Sequence, residues 1–303
     1  MSTSATAHAV PVGRSERDSA ALKVLTPAQL AAYHDQGYLA PLQAIGPEHA
    51  RAARREVEAF EAQHGGTWPK SMVLKPHLLL PWMDEIVRHP RILDTVEDLL
   101  GPDILCWSSR VFLKSPGDGG FVSWHQDVAY WGLDISESIL TAWVALSPAT
   151  KQNGVMKVIP GSHKSIVPHK EGVANNLLLR GQEVAVTVDE STAVYMELQA
   201  GEMSVHHSLM FHGSEENRAD DRRLGYAIRY IPTRVSQLPG LPRDSALLVR
   251  GIDRYGHFDL ESSPAAALDP EAVALHRKAT ATYAEINRLA VAKHDEIISA
   301  ASR

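Results

Sequence analysis

Cysteine is nearly missing from this chain of 303 residues; the single one, Cys106, excludes an internal disulfide framework and every zinc or iron–sulfur site that needs several thiolates. A reducing compartment suits such a composition. Excess positive charge is missing as well. Thirty basic residues against 36 acidic ones, a net charge of −6, present no broad basic field to nucleic acid or an anionic membrane, which leaves small molecules as the expected partners. No apolar run approaches the roughly 20 residues that span a bilayer, and the opening MSTSATAHAVPVGRSERDSA lacks the apolar stretch of a secretory signal, so a cytoplasmic location is expected. What the chain has in quantity is apolar material, 44% of its residues, enough to bury one full core.

Residues 1–24 are small and polar without periodicity and read as a disordered lead-in to a single domain over 25–303. In LTPAQLAAYHDQGYLAPL, Thr26 is placed to cap a helix with Gln29 at its third position, and Gly37 to stop it. GPEHARAARREVEAFEAQHGG and HPRILDTVEDLLGP predict two further helices, each closed by glycine. From about 104 to 233 the character changes to short β-rich runs separated by turn residues, the pattern of an antiparallel sandwich or barrel. A polar stretch at 163–183 interrupts them and reads as a lid or binding loop. From about 268 to 303 an apolar stripe predicts one or two helices, packed either on the outside of the barrel or in a homodimer.

Chemistry is concentrated in SWHQDVAYWG. Residues two apart on a strand share a face, so His125 and Asp127 project together while Gln126 turns away. Two histidines and one carboxylate on one face of an octahedron leave three positions open, which suits a non-haem Fe(II) that must also bind a co-substrate and oxygen. An HxD pair alone is a weak signal, since most such pairs are ordinary surface or core groups. A second histidine on a neighbouring strand is required, and GEMSVHHSLMFHGS offers His206, His207 and His212.

WHQD, then TAWVALSPATKQNGVMKVIPGSHK, then GEMSVHHSLMFHGSEENRADDRRLGYAIRYIPT follow one another in fixed order. With these motifs the sequence resembles the phytanoyl-CoA dioxygenase (PhyH) family of Fe(II)/2-oxoglutarate-dependent oxygenases, from the LTPAQL helix to about residue 235. The resemblance implies a mainly β fold, a double-stranded β-helix of jelly-roll, cupin-like form with flanking α-helices at both ends. It implies that Fe(II) is held by His125, Asp127 and His212, which leaves His206 and His207 as structural residues. It also implies that 2-oxoglutarate is held by Arg223, eleven residues beyond His212, whose planar fork matches a carboxylate. Arg222 would face the other way. Ser214 and Trp143 resemble further lining residues of that subsite, and Lys75, in VLKPHLL, an upstream basic contact. With O2 as the third reactant, the expected reaction is hydroxylation of a C–H bond, with desaturation or ring closure as the alternative within the class. Relatives that halogenate replace the carboxylate ligand by a small residue, and Asp127 argues against that. A non-catalytic metal-binding sensor is the competing class, although it has no need of the whole set. Toward the substrate, Arg110 is expected to point inward and bind a substrate acid or the co-substrate, and Tyr130 and Trp131 to form an apolar wall. The polar lid residues His163, Lys164, His169, Asn175, Asn176 and Arg180 suit a small polar metabolite better than a long acyl-CoA.

Overall fold

The structure is a computed structural model that describes residues 8–9, 21–134, 139–171, 176–178 and 182–301. Helix α1, Pro27–Gln36, begins at the expected capping box. Thr26 Oγ1 accepts from the Gln29 amide at 3.2 Å, and Gln29 Oε1 accepts from the Thr26 amide at 2.9 Å. Gly37 ends the helix at φ 83°, a left-handed conformation that costs glycine little, and the chain turns at once into strand β1, Tyr38–Gln43. Helix α2, Gly46–Gln63, buries Ala50, Ala53, Val57 and Phe60 along one stripe. Helices α3, Pro81–Val87, and α4, Pro90–Leu100, follow. Before α1 the amides of Lys23, Val24 and Leu25 donate to the Asp98 carboxylate, and His8–Ala9 pair with Ser165–Ile166. The other residues of the lead-in, 1–7 and 10–20, lie outside the described residues.

The strands that matter for the site are β2, Ile104–Lys114; β3, Val122–His125; β4, Leu140–Ala145; β5, Met156–Val158; β6, Val194–Tyr195; β7, Glu202–His207; β8, His212–Ser214; β9, Arg223–Pro232; β10, Ser245–Arg250; and β11, Asp259–Leu260. They form a seven-stranded sheet in the order β11-β10-β2-β9-β4-β7-β1 and a four-stranded sheet in the order β6-β5-β8-β3. Neighbours are antiparallel except β10 and β11. This is the mainly β, jelly-roll core expected, extended beyond 104–233 by β1 on one edge and by β10 and β11 on the other.

All ten residues of β9 are buried, because both of its faces are covered. Leu224, Tyr226, Ile228 and Tyr230 share a core with Ile86, Ile92 and Val96 of the helices. Arg223, Ala227 and Arg229, of the opposite parity, line a cavity between the sheets. Strand pairing extends that inner face sideways. Ala227 lies opposite Arg110 on β2 and Trp143 on β4, and Arg229 lies opposite Thr141, which in turn lies opposite His206 on β7.

After the sheets comes a single helix, α5, Pro270–Ala301. Its buried positions Ala272, His276, Ala279, Tyr283, Ile286 and Ala290 recur every three or four residues. Tyr283 reaches the Trp107 ring with centroids 5.3 Å apart, and His276 Nε2 bonds the Leu74 carbonyl at 2.8 Å. The stripe therefore packs on the chain's own β core as far as Ala290. Among the described residues no helix is long and apolar enough to cross a membrane.

Candidate metal centre and co-substrate pocket

His125 closes β3, whereas Asp127 opens a short 3-10 turn, Asp127–Tyr130, so the two ligand candidates straddle the end of a strand instead of sharing it. Between them Gln126 turns away, as expected. It is fully buried: its Nε2 donates to the Ser165 and Leu209 carbonyls at 2.7 Å each, and its Oε1 accepts from the Val167 amide at 3.0 Å. His212 opens β8 in the same sheet, directly opposite His125. His206 and His207 do not lead into that strand. They end β7 in the other sheet, and residues 208–211 carry the chain across.

One ligand atom from each of His125, Asp127 and His212 fits within 4.8 Å of the others, and all three residues are buried. The ring centroids of the two histidines are 4.0 Å apart. His125 Nδ1 bonds the Ser123 carbonyl at 2.9 Å and His212 Nδ1 bonds the Met210 carbonyl at 3.0 Å. A carbonyl can only accept, so each Nδ1 carries the proton and each Nε2 keeps a lone pair for a metal. Burial, followed by the nearby His125, pushes the His212 ring well below its ordinary value, which keeps it neutral as a ligand must be. For Asp127, burial alone would raise the carboxyl. Arg229 and the His125 and His206 rings outweigh it and hold the group well below its ordinary range, ionised. Thr141 Oγ1 donates to Asp127 Oδ2 at 3.2 Å and orients it. A divalent, oxygen- and nitrogen-seeking ion fits this donor set, and iron(II) is such an ion.

His207 is structural, its Nδ1 accepting from the Leu209 amide at 3.1 Å. His206 is not: it lines the cavity, its ring 4.6 Å from that of His212, and its Nε2 stands 3.9 Å from Asp127 Oδ2.

The cavity between the two sheets is small and partly open to solvent, and His125, Asp127, His206, His212, Arg223 and Arg229 all line it. Arg223, Ser214 and Trp143 meet at one end of it. Arg223 is buried, donates from Nη1 to the Gly154 carbonyl at 2.6 Å, and leaves Nε without a partner. Its guanidinium lies 5.3 Å from the Trp143 ring centre. Arg222 faces outward and pairs with Glu61 of α2 at 2.7 and 2.8 Å. Sequence reasoning missed Lys114, whose Nζ donates to Ser214 Oγ at 2.8 Å and to the Glu215 carbonyl. Burial, and then Arg223 beside it, push this amine down to about 6.

Lys75 is not part of this site. It is fully buried elsewhere, paired with Glu261 at 2.5 Å and bonded to the Ser245 carbonyl at 2.8 Å, so its charge is already matched. Arg110 stands opposite Ala227 of the cavity-facing row but does not itself line the cavity, and its Nη2 donates to the Leu177 carbonyl at 2.7 Å. The polar residues expected of a lid serve structure where they are described. Lys164 pairs with Asp35, His163 bonds the His34 carbonyl, His169 accepts from the Gln126 amide, and Asn176 donates to Ser123. Asn175, Arg180 and the Tyr130 side chain lie outside the described residues. Trp131 is buried against Trp107, ring centroids 5.0 Å apart.

The sequence profile of the phytanoyl-CoA dioxygenase (PhyH) family matches residues 20–225. A solved structure described as the non-heme monooxygenase ThoJ in its apo form is 37% identical, with a TM-score of 0.78 over 87% of this chain and 99% of that one. A probable alpha-ketoglutarate-dependent hypophosphite dioxygenase from Stutzerimonas stutzeri is 29% identical over 58% of this chain and 64% of its own length. Human peroxisomal phytanoyl-CoA dioxygenase is 27% identical over 66% of each. The match thus spans less than two thirds of these curated relatives, but nearly the whole of the solved chain.

Proposed function

The chain belongs to the phytanoyl-CoA dioxygenase family, and on that premise we propose that it is an Fe(II)- and 2-oxoglutarate-dependent oxygenase that hydroxylates an unactivated C–H bond of a small polar metabolite. An amino acid derivative, an organophosphonate or a natural-product precursor is the class of substrate meant, since Thr141, His206 and Arg229 present polar groups to the cavity beside the metal site. One atom of O2 would enter the product and the other would enter succinate, as 2-oxoglutarate loses CO2.

The observation that carries this reading is the joint placement of a His125–Asp127–His212 cluster and an unpaired buried Arg223 in one cavity. His125, Asp127 and His212 would hold the iron, which when bound supplies the oxygen chemistry that no side chain here can perform. Arg223, with Ser214 and Lys114 beside it, would take the distal carboxylate of 2-oxoglutarate. Trp143 would wall that end, and the burial of the whole set would keep water out. Asp127 disfavours halogenation. Desaturation or ring closure remains the alternative outcome of the same site and is separated by product mass, since hydroxylation adds one oxygen atom and desaturation removes two hydrogens. A cytoplasmic location goes with this reading. A homodimer through α5 would have to use the face that is exposed, because the apolar stripe is occupied as far as Ala290. Light scattering on the purified protein reads the oligomeric state.

The deciding experiment is an anaerobic titration with Fe(II) and 2-oxoglutarate, followed by visible absorption. A weak charge-transfer band is expected in the wild type, absent in Asp127→Ala and reached only at much higher 2-oxoglutarate in Arg223→Ala. Iron binding without a band in the wild type would replace the oxygenase by a metal-binding sensor.

A further inference from the structure

Among the described residues, Arg229 is a buried charge that its neighbours satisfy only in part. It is 6% exposed and lines the cavity, and its Nε and Nη1 are buried without a hydrogen-bond partner. The nearest carboxylate oxygen, Asp127 Oδ1, stands 3.8 Å from Nη2, beyond hydrogen-bond reach. Arg110 Nε and both ring nitrogens of His206 are likewise buried and unpartnered. Folded proteins seldom leave such donors without a ligand, water or ion to meet them.

Resting on the oxygenase reading above, we propose that the primary substrate carries an oxyanion, a carboxylate or a phosphonate, and that Arg229, assisted by Arg110, binds it at the end of the cavity opposite the 2-oxoglutarate subsite. Arg223 and Arg229 are six residues apart on one strand, which separates their backbones by roughly 20 Å. A five-carbon diacid chelating iron at one end and held by Arg223 at the other has no carboxylate left for Arg229. Charge points the same way. Among the described residues Asp127 is the one carboxylate lining the cavity, against Arg223 and Arg229 in the lining and Arg110 on the adjoining strand. Once iron is added, the two negative charges of 2-oxoglutarate leave a positive excess in a buried space, which an anionic substrate would offset. Burial, with Arg229 next, lowers Arg110 to about 10, which accords with a second guanidinium standing near it.

The surroundings of Arg229 hold its planar fork in place for a bidentate oxyanion, carboxylate or phosphonate alike. Its guanidinium lies 5.1 Å from the centre of the Trp131 ring, which holds the fork flat, and Trp107 and Tyr283 of α5 continue the aromatic wall behind Trp131. The subsite also restricts the reaction. Because Nη2 of Arg229 stands so close to a metal ligand, the carbon that is oxidised lies within a few bonds of the anionic group.

The test uses N-acetyl amino acids, each paired with its primary amide, and the corresponding aminophosphonic acids. They are titrated anaerobically into the Fe(II)- and 2-oxoglutarate-loaded protein by absorption, and into the metal-free protein by calorimetry. Acids are expected to bind at least about tenfold tighter than their amides, the worth of a charge-assisted bidentate pair. Arg229→Gln, loaded at the higher Fe(II) that loss of a charge beside Asp127 requires, should still form the charge-transfer band but lose that preference, Arg110→Gln should weaken it, and Arg229→Lys should restore it in part. The phosphonates decide which oxyanion is preferred. Equal binding of acids and amides, no binding of any acid, or an unchanged preference in folded Arg229→Gln would overturn the proposal. So would loss of the band in Arg229→Gln, because Arg229 would then serve Asp127 and the metal. Absence of the band in the wild type overturns the oxygenase reading alone, and the calorimetric comparison still judges the anion subsite.

Discussion

The buried amine of Lys114 governs how the co-substrate end responds to pH. Burial and Arg223 lower it to about 6, while Asp118, Glu215 and Glu216 pull more weakly the other way, so it is mostly neutral at pH 7.5 before 2-oxoglutarate binds. A carboxylate arriving at Ser214 favours the charged form, and binding above pH 6 therefore takes up a proton. The affinity for 2-oxoglutarate is expected to fall as pH rises from 6 to 8.5, by up to about tenfold per unit while one proton is taken up. Lys114→Met should flatten that dependence and bind more weakly at pH 6. A slope that survives in Lys114→Met would assign the proton elsewhere. Lys114 was legible in principle, since it stands four residues beyond Arg110 on the same strand and shares its face. Arg229 likewise stands six beyond Arg223 on β9. Neither carries a motif of its own, and only the pairing of β9 with β2 and β4 shows which parity faces the cavity.

Elements place these side chains by packing that a motif does not report. Gly225 sits between Arg223 and Ala227 on the inner face of β9, and a Cβ there would lie 1.9 Å from Trp143 Cζ2. The missing side chain is what allows the indole to pack against the backbone of β9 within 5.3 Å of the Arg223 guanidinium. Gly225→Ala is expected to push Trp143 into the cavity, cost about 1–3 kcal/mol of stability as overpacking does, and weaken 2-oxoglutarate at least tenfold. Melting temperature and the charge-transfer titration read the two effects, and wild-type affinity in the variant would remove Trp143 from the subsite. Periodicity and capping residues made the helices α1, α2 and α4 and the long strands β2 and β9 readable in advance. Strands β10 and β11 were not, because β10 pairs with β2 across more than a hundred residues and β11 only adds to β10. The short strand β1 was hidden too, as its apolar residues follow a helix stop and acquire a role only by adding to β7.

At the scale of the whole molecule, some buried charges are matched in pairs and others are gathered in the cavity, and Lys75 belongs to the first kind. Lys75 and Glu261 are both fully buried and 2.5 Å apart, and Ser245 Oγ donates to the same carboxylate oxygen at 2.7 Å. This network ties the segment before α3 to the far edge of the seven-stranded sheet. Burial alone would raise Glu261, but Lys75 and then His77 outweigh it and hold the carboxyl below its ordinary range. The pair's contribution to stability is therefore complete above the ordinary carboxylate pKa and is lost as pH falls below it. Lys75→Met leaves Glu261 buried without its cation and is expected to cost about 3–5 kcal/mol. The loss should appear as a lower melting temperature at pH 7, with the difference from wild type shrinking toward pH 3. The charge-transfer band and the 2-oxoglutarate affinity of the folded variant should match the wild type, because this pair braces the sheet edge and takes no part in the cavity. A stable Lys75→Met protein that binds 2-oxoglutarate poorly would return Lys75 to the co-substrate site.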